Sequence, residues 1–543
     1  METMTLRMLR RGRAIASAFT EKYRDGVANP LAARPWPGVE GGELYFGQIY
    51  SSSPKWLDFI RGGVPLIGED LFTGGAGAAI FIPVDGRVYA ACFGHIHMAL
   101  DDDAFERGFG LRVVLNCVPR SNLRTLDLAT PDAVTFQKRV QASRDSDLQE
   151  FGVDMLRDLA RVAGGTPSDA GFAKFVAGKD SLSLTCSVDA RSIVNKCAEV
   201  GRTYRRQEYK KEFAWVDNLK VVAERDLQAR LDAKLFNEIE AIRRGEESDL
   251  HMAPPEIVSY NEGGVLHYNG FGSHGVDYHS LSIEDYVYEL NDAGFDGAMD
   301  DVKRLHRISA RSPEGGGFSE KWRVYDCFVL ETTLGAGASA KTYIIFAGDW
   351  YCVERSFKRR VEEFFNSIER VDIVGKTSCV NEKELIDDLN SNRRDLLKLD
   401  QVKINPEGTA HAFIEPCDFL SERGDFIHLK DGHSSGPISH LWSQGLVSTD
   451  ALISDGVYRQ KLKQKASGRF RALLPGRRDA IVRSKYRVVF GIMRKRYVSG
   501  GLDLPFFSKV SFQSTAEKIQ KLGIKVAIEL IEKPASESGE DEE

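Results

Sequence analysis

The sequence predicts an α+β protein of several domains, with a β-rich N-terminal region, a mixed α/β middle and an α/β C-terminal part. Three observations predict it. The chain has 543 residues, more than one hydrophobic core usually supports. Near the start, AAIFIPV (78–84), Asp85-Gly86 and RVYAACF (87–93) read as strand, tight turn and strand. From about residue 375 onward, helical and strand patterns alternate.

Taken in order, FGLRVVLNCV (109–118) reads as a buried strand. Residues 146–162 carry Leu148, Phe151, Met155, Leu156 and Leu159 at helical spacing, which predicts an amphipathic helix. The glycine-rich GGAGA (74–78) precedes a strand, not a helix, and reads as a flexible turn without a phosphate cradle. SLSLTCSVD (181–189) alternates as a strand, residues 189–200 read as the helix after it, and residues 223–245 as a long helix. The Pro/Gly-rich stretch 245–280 marks a boundary or long loop. RVYDCFVLE (323–331), KTYIIFAG (341–348) and WYCVE (350–354) predict antiparallel strands, and residues 356–369 a helix. Then come helix 382–394, strands near 396–403, 411–420 and 425–430, helix 437–454, strand 485–493, helix 514–522 and strand 524–531. Boundaries are placed at 125, 250 and 375, with a disordered acidic tail from 532.

Composition narrows the classes. Hydrophobic residues at 42% and charged residues at 28% argue against wholesale disorder. The absence of a long apolar run predicts no membrane span. The N-terminal METMTLRMLRRGRAIASAF lacks the apolar core of a signal peptide. Eight scattered cysteines without a CxxC pair predict reduced thiols and a cytoplasmic location. No GxxxxGK[ST], GxSxG or HExxH occurs, so NTPase, α/β-hydrolase and zincin readings have no support. His95 and His97 would share a strand face. His251, His267, His274 and His279 crowd the 245–280 stretch, and His428, His433 and His440 lie near Cys417. Without ligand spacing, each group reads first as ordinary buried or exposed histidine.

The block FIEPCDFLSERGDFIHLK (413–430), followed by ISHLWSQG (438–445), carries the candidate chemistry. If 411–420 and 425–430 are neighbouring strands, Asp418 ends the first, and His428 and Lys430 share one face of the second. Metal-dependent nucleases use a carboxylate beside such a strand-borne lysine. The acids hold Mg²⁺ or Mn²⁺, the metal activates water, and the lysine orients that water or stabilises phosphate charge. Asp418, Glu415 and Glu384 are the candidate metal ligands; Lys430, His428 and Gln444 complete the catalytic candidates.

A second signal is charge. The chain has a net charge of -6, yet fourteen Lys or Arg and one acid, Asp479, lie between Gly456 and Arg496. Arg477, Arg478, Lys485, Arg487, Arg494, Lys495 and Arg496 are the candidate phosphate contacts, with Tyr458, Phe470, Tyr486 and Phe490 interleaved. The implied partner is DNA or RNA. The same patch would also suit an acidic protein partner, and a homo-oligomer stays open.

Residues 380–531, with Asp418, Lys430 and Gln444 in the order helix, strands, helix, strand, resemble the PD-(D/E)xK nuclease superfamily. The resemblance implies a restriction-endonuclease-like core. The sequence departs from the pattern at His428, where that superfamily has Asp or Glu. Imidazole is a poorer partner for a hard cation than carboxylate.

Phrases along the whole chain also resemble a sporadically distributed bacterial family of unknown function, found on mobile elements and defence islands. They are SPKWLDFI (53–60), FERGFGLRVVLN (105–116), LQEFGVDMLRDL (148–159), GKDSLSL (178–184), YKKEFAWVDNL (209–219) and the 414–445 block. That resemblance implies anti-phage or mobile-element biology. Two functional readings follow: a metal-dependent nuclease, or a nucleic-acid-binding sensor or scaffold on a degenerate nuclease fold.

Overall fold

The computed structural model describes residues 2–24, 31–52, 73–130, 135–146, 151–257, 265–272, 275–311, 319–409, 412–432, 435–496 and 501–534. The phrase 53–60, residues 147–150, His274, His433 and residues 535–543 lie outside them, while Glu532, the expected start of the acidic tail, ends the strand Lys525–Glu532. The chain is mixed α/β and built on several sheets.

A ten-stranded sheet runs in the order Leu31–Pro35, Glu43–Ser52, Thr73–Val84, Arg87–Gly94, Glu2–Met8, Leu182–Cys186, Phe175–Gly178, Leu159–Gly165, Leu123–Thr130, Phe136–Ser146. All its pairs are antiparallel. Glu2–Met8 is central because Met4, Leu6 and Met8 alternate into the core. The hairpin at Asp85-Gly86 is as predicted. Both turn residues take positive φ, 51° and 70°, the combination that matches strand twist in a two-residue turn. Position 125 falls inside the strand Leu123–Thr130, so the sheet runs across the first expected boundary.

Three expectations fail in this part. GGAGA is not a turn but part of the strand Thr73–Val84, paired along its length with Glu43–Ser52 and from Gly77 also with Arg87–Gly94. FGLRVVLNCV is not a strand but the helix Phe109–Cys117. Phe109, Leu111, Val113, Val114 and Leu115 bury most of its circumference, which removes the helical periodicity from the sequence. Gly110 lets it approach the sheet, since a Cβ there would lie 1.9 Å from the Ser181 carbonyl oxygen. The described residues of 146–162 form no helix: Ser146 ends the strand Phe136–Ser146, residues 151–158 form a turn, and Leu159 opens the strand Leu159–Gly165; residues 147–150 lie outside the described residues. The buried carboxylate of Asp158 fixes that turn, accepting from Thr130 Oγ1 (2.8 Å), Lys138 Nζ (3.0 Å) and the Asp154 N–H (3.0 Å). Those tertiary bonds override the local helical pattern.

A five-stranded antiparallel sheet follows in the order Leu219–Val221, Asp349–Val353, Lys341–Phe346, Phe328–Leu334, His251–Met252. The expected strand 323–331 begins only at Phe328, after a helical turn at Val324–Cys327. The helix Arg225–Arg243 packs on this sheet through Leu231, Leu235 and Ile239, beyond the expected boundary at 250. On its buried face Asp232 accepts from Tyr325 Oη (2.7 Å), Trp350 Nε1 (2.8 Å) and Lys303 Nζ (2.7 Å). The histidine-rich stretch contributes Val265–Asn269 to a small three-stranded sheet with Arg307–Arg311 and Ser319–Arg323.

The C-terminal sheet has six strands in the order Glu369–Arg370, Lys525–Glu532, Arg487–Arg494, Asp425–Asp431, Phe419–Ser421, Leu396–Lys398. It starts at Glu369, ahead of the expected boundary at 375. Its first four strands are parallel, and the short Phe419–Ser421 and Leu396–Lys398 add antiparallel. The strands expected over 396–403 and 411–420 shrink to these pieces. The helix Glu382–Asn392 covers one face through Leu385, Ile386 and Leu389. Ser435–Ser454 and Phe506–Lys521 cover the other, where Trp442 and Phe512 pack on Phe490. Glu331 of the five-stranded sheet caps the second of these helices, accepting from the N–H groups of Phe506 (2.7 Å) and Phe507 (3.0 Å).

Candidate active site

Asp418, Lys430 and a carboxylate absent from the sequence-based set, Glu382, come together where the strand Asp425–Asp431 ends. The backbone of Asp418 is clamped: its N–H donates to the Ile427 carbonyl (2.9 Å), and its carbonyl accepts from Leu399 (2.7 Å) and Asp400 (3.1 Å). Its Oδ2 accepts from the Leu429 N–H at 2.6 Å. Lys430 Nζ lies 2.8 Å from Oε2 and 3.2 Å from Oε1 of Glu382. The Asp431 N–H also donates to Glu382 Oε2, at 3.4 Å.

Glu382 reaches this point because Asn381 starts its helix. The Asn381 side chain accepts from the Glu384 N–H (3.0 Å), placing Glu382 in the first helical position, facing the strand end. Burial pushes the Asp418 carboxyl up to about 7. Glu382 and Asp400 push it further up, while the Leu429 N–H and Lys430 pull it down. The site therefore concentrates negative charge around one ammonium group, a distribution that favours a cation.

The other predicted residues do not join. Glu384 completes the helix cap, its carboxylate accepting from the Val380 N–H (3.0 Å) and Asn381 Nδ2 (2.7 Å). Glu415 is half-buried and makes no side-chain hydrogen bond or ion pair among the described residues. His428 is 3% exposed, inside the core, 5.9 Å from the Phe490 ring centroid and 3.4 Å from Ser448 Oγ. Burial pushes its imidazole down to about 4, so it is neutral near pH 7. His428 therefore sits in the core, away from the strand end where Lys430 and Glu382 meet. Gln444 is half-buried one helical turn before Ser448.

The basic stretch divides by partner. Arg487 pairs with Asp425 (2.8 Å) and Glu369 (2.5 Å), and Arg494, with its side chain 7% exposed, faces Asp249 at 3.8 Å. Arg477 pairs with Glu407, Lys495 with Glu247 and Arg496 with Glu532. Arg478 and Lys485, and Arg483 between them, are exposed and make no side-chain hydrogen bond or ion pair among the described residues. Tyr458, Phe470, Tyr486 and Phe490 are buried and cannot stack on bases. Because Arg487 lies beside Asp425 and Met493 beside Asp431, the free cations sit off the opposite strand end from Lys430. Five residues of strand separate the ends, roughly 17 Å.

Among the described residues no three His, Cys, Asp or Glu side chains form a ready-made metal cage. His95 and His97 lie exposed in a 3-10 turn, not on a strand. Cys417 is a core thiol, and all eight cysteines are free. No described helix is long and apolar enough to cross a membrane.

These features define a mixed α/β protein with a charged site at one strand end of its C-terminal sheet. Comparison with known families is specific on one point: a family model matches residues 4–532. The chain belongs to that family, described as "Family of unknown function (DUF6119)". No curated protein and no solved structure matches it.

Proposed function

We propose that the C-terminal unit is a restriction-endonuclease-like core that hydrolyses phosphodiester bonds of nucleic acid with the help of Mg²⁺ or Mn²⁺. The observation that carries this reading is the convergence of Asp418, Lys430 and Glu382 at one strand end. The order of elements, one helix, three antiparallel strands, three helices and a parallel strand, is compatible with this reading. Mg²⁺ is commonly held by one or two carboxylates plus waters and substrate phosphate. Asp418 and Glu382 fit that donor set; Glu415 and Glu384 do not. The bound metal would supply an activated water. Lys430, set by Glu382, would then face the charge that develops on the phosphate.

The setting that suits this activity is defence against phage or mobile DNA inside the cytoplasm. Its support is the shared phrases and the free thiols. A second reading, binding without cleavage, is favoured by the position of the free cations at the far strand end. The deciding experiment incubates the full chain with labelled single- and double-stranded DNA and RNA, with Mg²⁺, Mn²⁺ or EDTA. Metal-dependent products lost in Lys430→Ala and Glu382→Gln support hydrolysis. Retention without products in either metal supports the binding reading.

A further inference from the structure

A cleft of about 290 Å³ opens between the ten-stranded and five-stranded sheets. Three sequence-distant segments meet there: 105–116, 178–184 and 209–219. They supply three of the phrases that run along the chain, and the C-terminal site uses none of them. Arg107, Arg112, Arg161, Lys179 and Lys220 line the cleft against Asp180, Asp217 and Asp349, a surplus of two positive charges. Tyr204, Tyr209 and Tyr351 stand beside apolar Leu111, Leu115 and Val216.

The walls are pre-set. The Arg112 guanidinium stacks 5.1 Å over the Tyr209 ring and 5.8 Å over Tyr204, and donates to Tyr209 Oη at 3.1 Å. Tyr209 Oη in turn donates to Asp217 at 2.8 Å. Arg107 is consumed by Asp103 (3.0 Å), Asp349 (3.4 Å) and Asp180 (3.7 Å). Asp180 also accepts from the Gly108 N–H at 2.8 Å.

Lys179 is different. Its only acid within ion-pair reach among the described residues is Asp180, at 3.8 Å, and 46% of its side chain is accessible. It thus faces the cleft instead of the core. Burial, then Arg161 and Arg107, push its ammonium down from the usual range while Asp180 and Asp349 pull it up, and a bound anion would pull it up further. Arg161, on the strand paired beside Phe175–Gly178, stands close to Lys179, gives one hydrogen bond to the Pro255 carbonyl (2.7 Å) and lies 5.2 Å from the Phe346 ring centroid. Its side chain is half-buried, and a guanidinium carries further N–H donors that an anion could take up.

We propose that this cleft is a binding site for a small organic phosphate of about single-nucleotide size. Lys179, Arg161 and the rim residue Lys220 hold the anionic group, and the Tyr and Leu wall takes the flat ring. The volume lies near the lower end for small-molecule sites and leaves no room for a longer chain within it. A free nucleotide and the phosphorylated end of a nucleic acid share this chemistry. The proposal does not depend on hydrolysis at the C-terminal site.

The test is calorimetry on the full chain with adenosine and guanosine 5′-monophosphates, adenosine, inorganic phosphate, and a ten-nucleotide DNA with or without 5′-phosphate. We expect saturable binding of a mononucleotide, or of the 5′-phosphorylated DNA alone, at least tenfold tighter than of its unphosphorylated counterpart. The first outcome identifies a free ligand and the second a strand end. Lys179→Gln should weaken that binding at least tenfold. Lys220→Glu, a rim change that leaves the core untouched, should weaken it severalfold and guards against misfolding of the first variant. Equal binding of phosphorylated and unphosphorylated probes would overturn the proposal. So would unchanged affinity in Lys220→Glu together with a folded Lys179→Gln, or no saturable binding of any phosphorylated probe at millimolar concentration.

Discussion

Lys430 and Glu382 are joined at 2.8 Å across the end of a strand and the start of a helix, 48 residues apart in the chain. Both side chains are a little under one-third exposed. The pair contributes on the order of 1 kcal/mol or less to stability. Its weight in a hydrolytic site would be far greater, since losing one stabilising contact at a reacting phosphate costs about 2.7–4 kcal/mol of barrier. Glu382→Gln should therefore leave the melting temperature within a few degrees of wild type and lower any metal-dependent cleavage about 100-fold or more. Thermal melts beside single-turnover assays check both halves. A large loss of stability with unchanged cleavage would make the pair structural.

Asp418 gives a pH signature. Its native carboxyl is raised to about 7, above the ordinary unfolded value near 4. Between those values the native state holds a proton that the unfolded state has released. The stabilisation from the neutral form is complete below about pH 4 and is lost as pH rises through 7. Asp418→Asn keeps the neutral shape, so its stability relative to wild type should grow across that window, by roughly 2–4 kcal/mol in all. Denaturant melts from pH 4 to 8 check it. A constant difference would mean that Asp418 ionises normally.

His428 runs in the opposite direction. Its imidazole is held near 4 by burial, so the native state stays neutral while the unfolded chain gains a proton below about 6.5. Its contribution is present above 6.5 and fades as pH falls toward 4. His428→Ala should cost about 2–4 kcal/mol through the cavity it leaves against Phe490. It should also leave metal preference unchanged, because the ring lies in the core. A shift in the Mg²⁺ to Mn²⁺ activity ratio would return the residue to the site.

The basic stretch predicts two separable phenotypes. Reversing Arg478, Arg483 and Lys485 should flatten the salt dependence of nucleic-acid binding, since each released counterion contributes to the slope. Arg487→Ala should instead destabilise by about 3–5 kcal/mol, because it strands the buried Asp425 carboxylate. Salt titrations on the first variant and melts on the second separate the roles. Equal slopes for wild type and the triple variant would remove nucleic acid as the partner of this face.

Local signals carried much of the architecture. The 87–93 strand and its Asp85-Gly86 turn, the strand at 182–186 and the helix at 225–243 were legible because short-range periodicity and turn chemistry settle them. The Phe109–Cys117 helix was not, since apolar residues cover nearly all of it. Asp418 and Lys430 were singled out from the expectation of two neighbouring strands and the nuclease resemblance, whereas strand alternation alone pairs Lys430 with His428, which the fold buries. Glu382 was not, because it enters from a helix start far from both. Charge could be counted between 456 and 496, but its partners Glu369, Glu407, Glu532, Glu247 and Asp249 are remote in sequence. Counting charges cannot distinguish a structural arginine from a free one.

The central place of Glu2–Met8 sets a timetable for synthesis. This strand pairs on one side with Arg87–Gly94 and on the other with Leu182–Cys186. At about 5–20 residues per second, translation separates its emergence from that of the second partner by roughly 10–40 s. Throughout that interval at least one edge of a strand bearing Met4, Leu6 and Met8 is unpaired. That edge is closed only when Leu182–Cys186 docks, so the sheet is completed late and by the chain's longest-range strand pairing with its N-terminus.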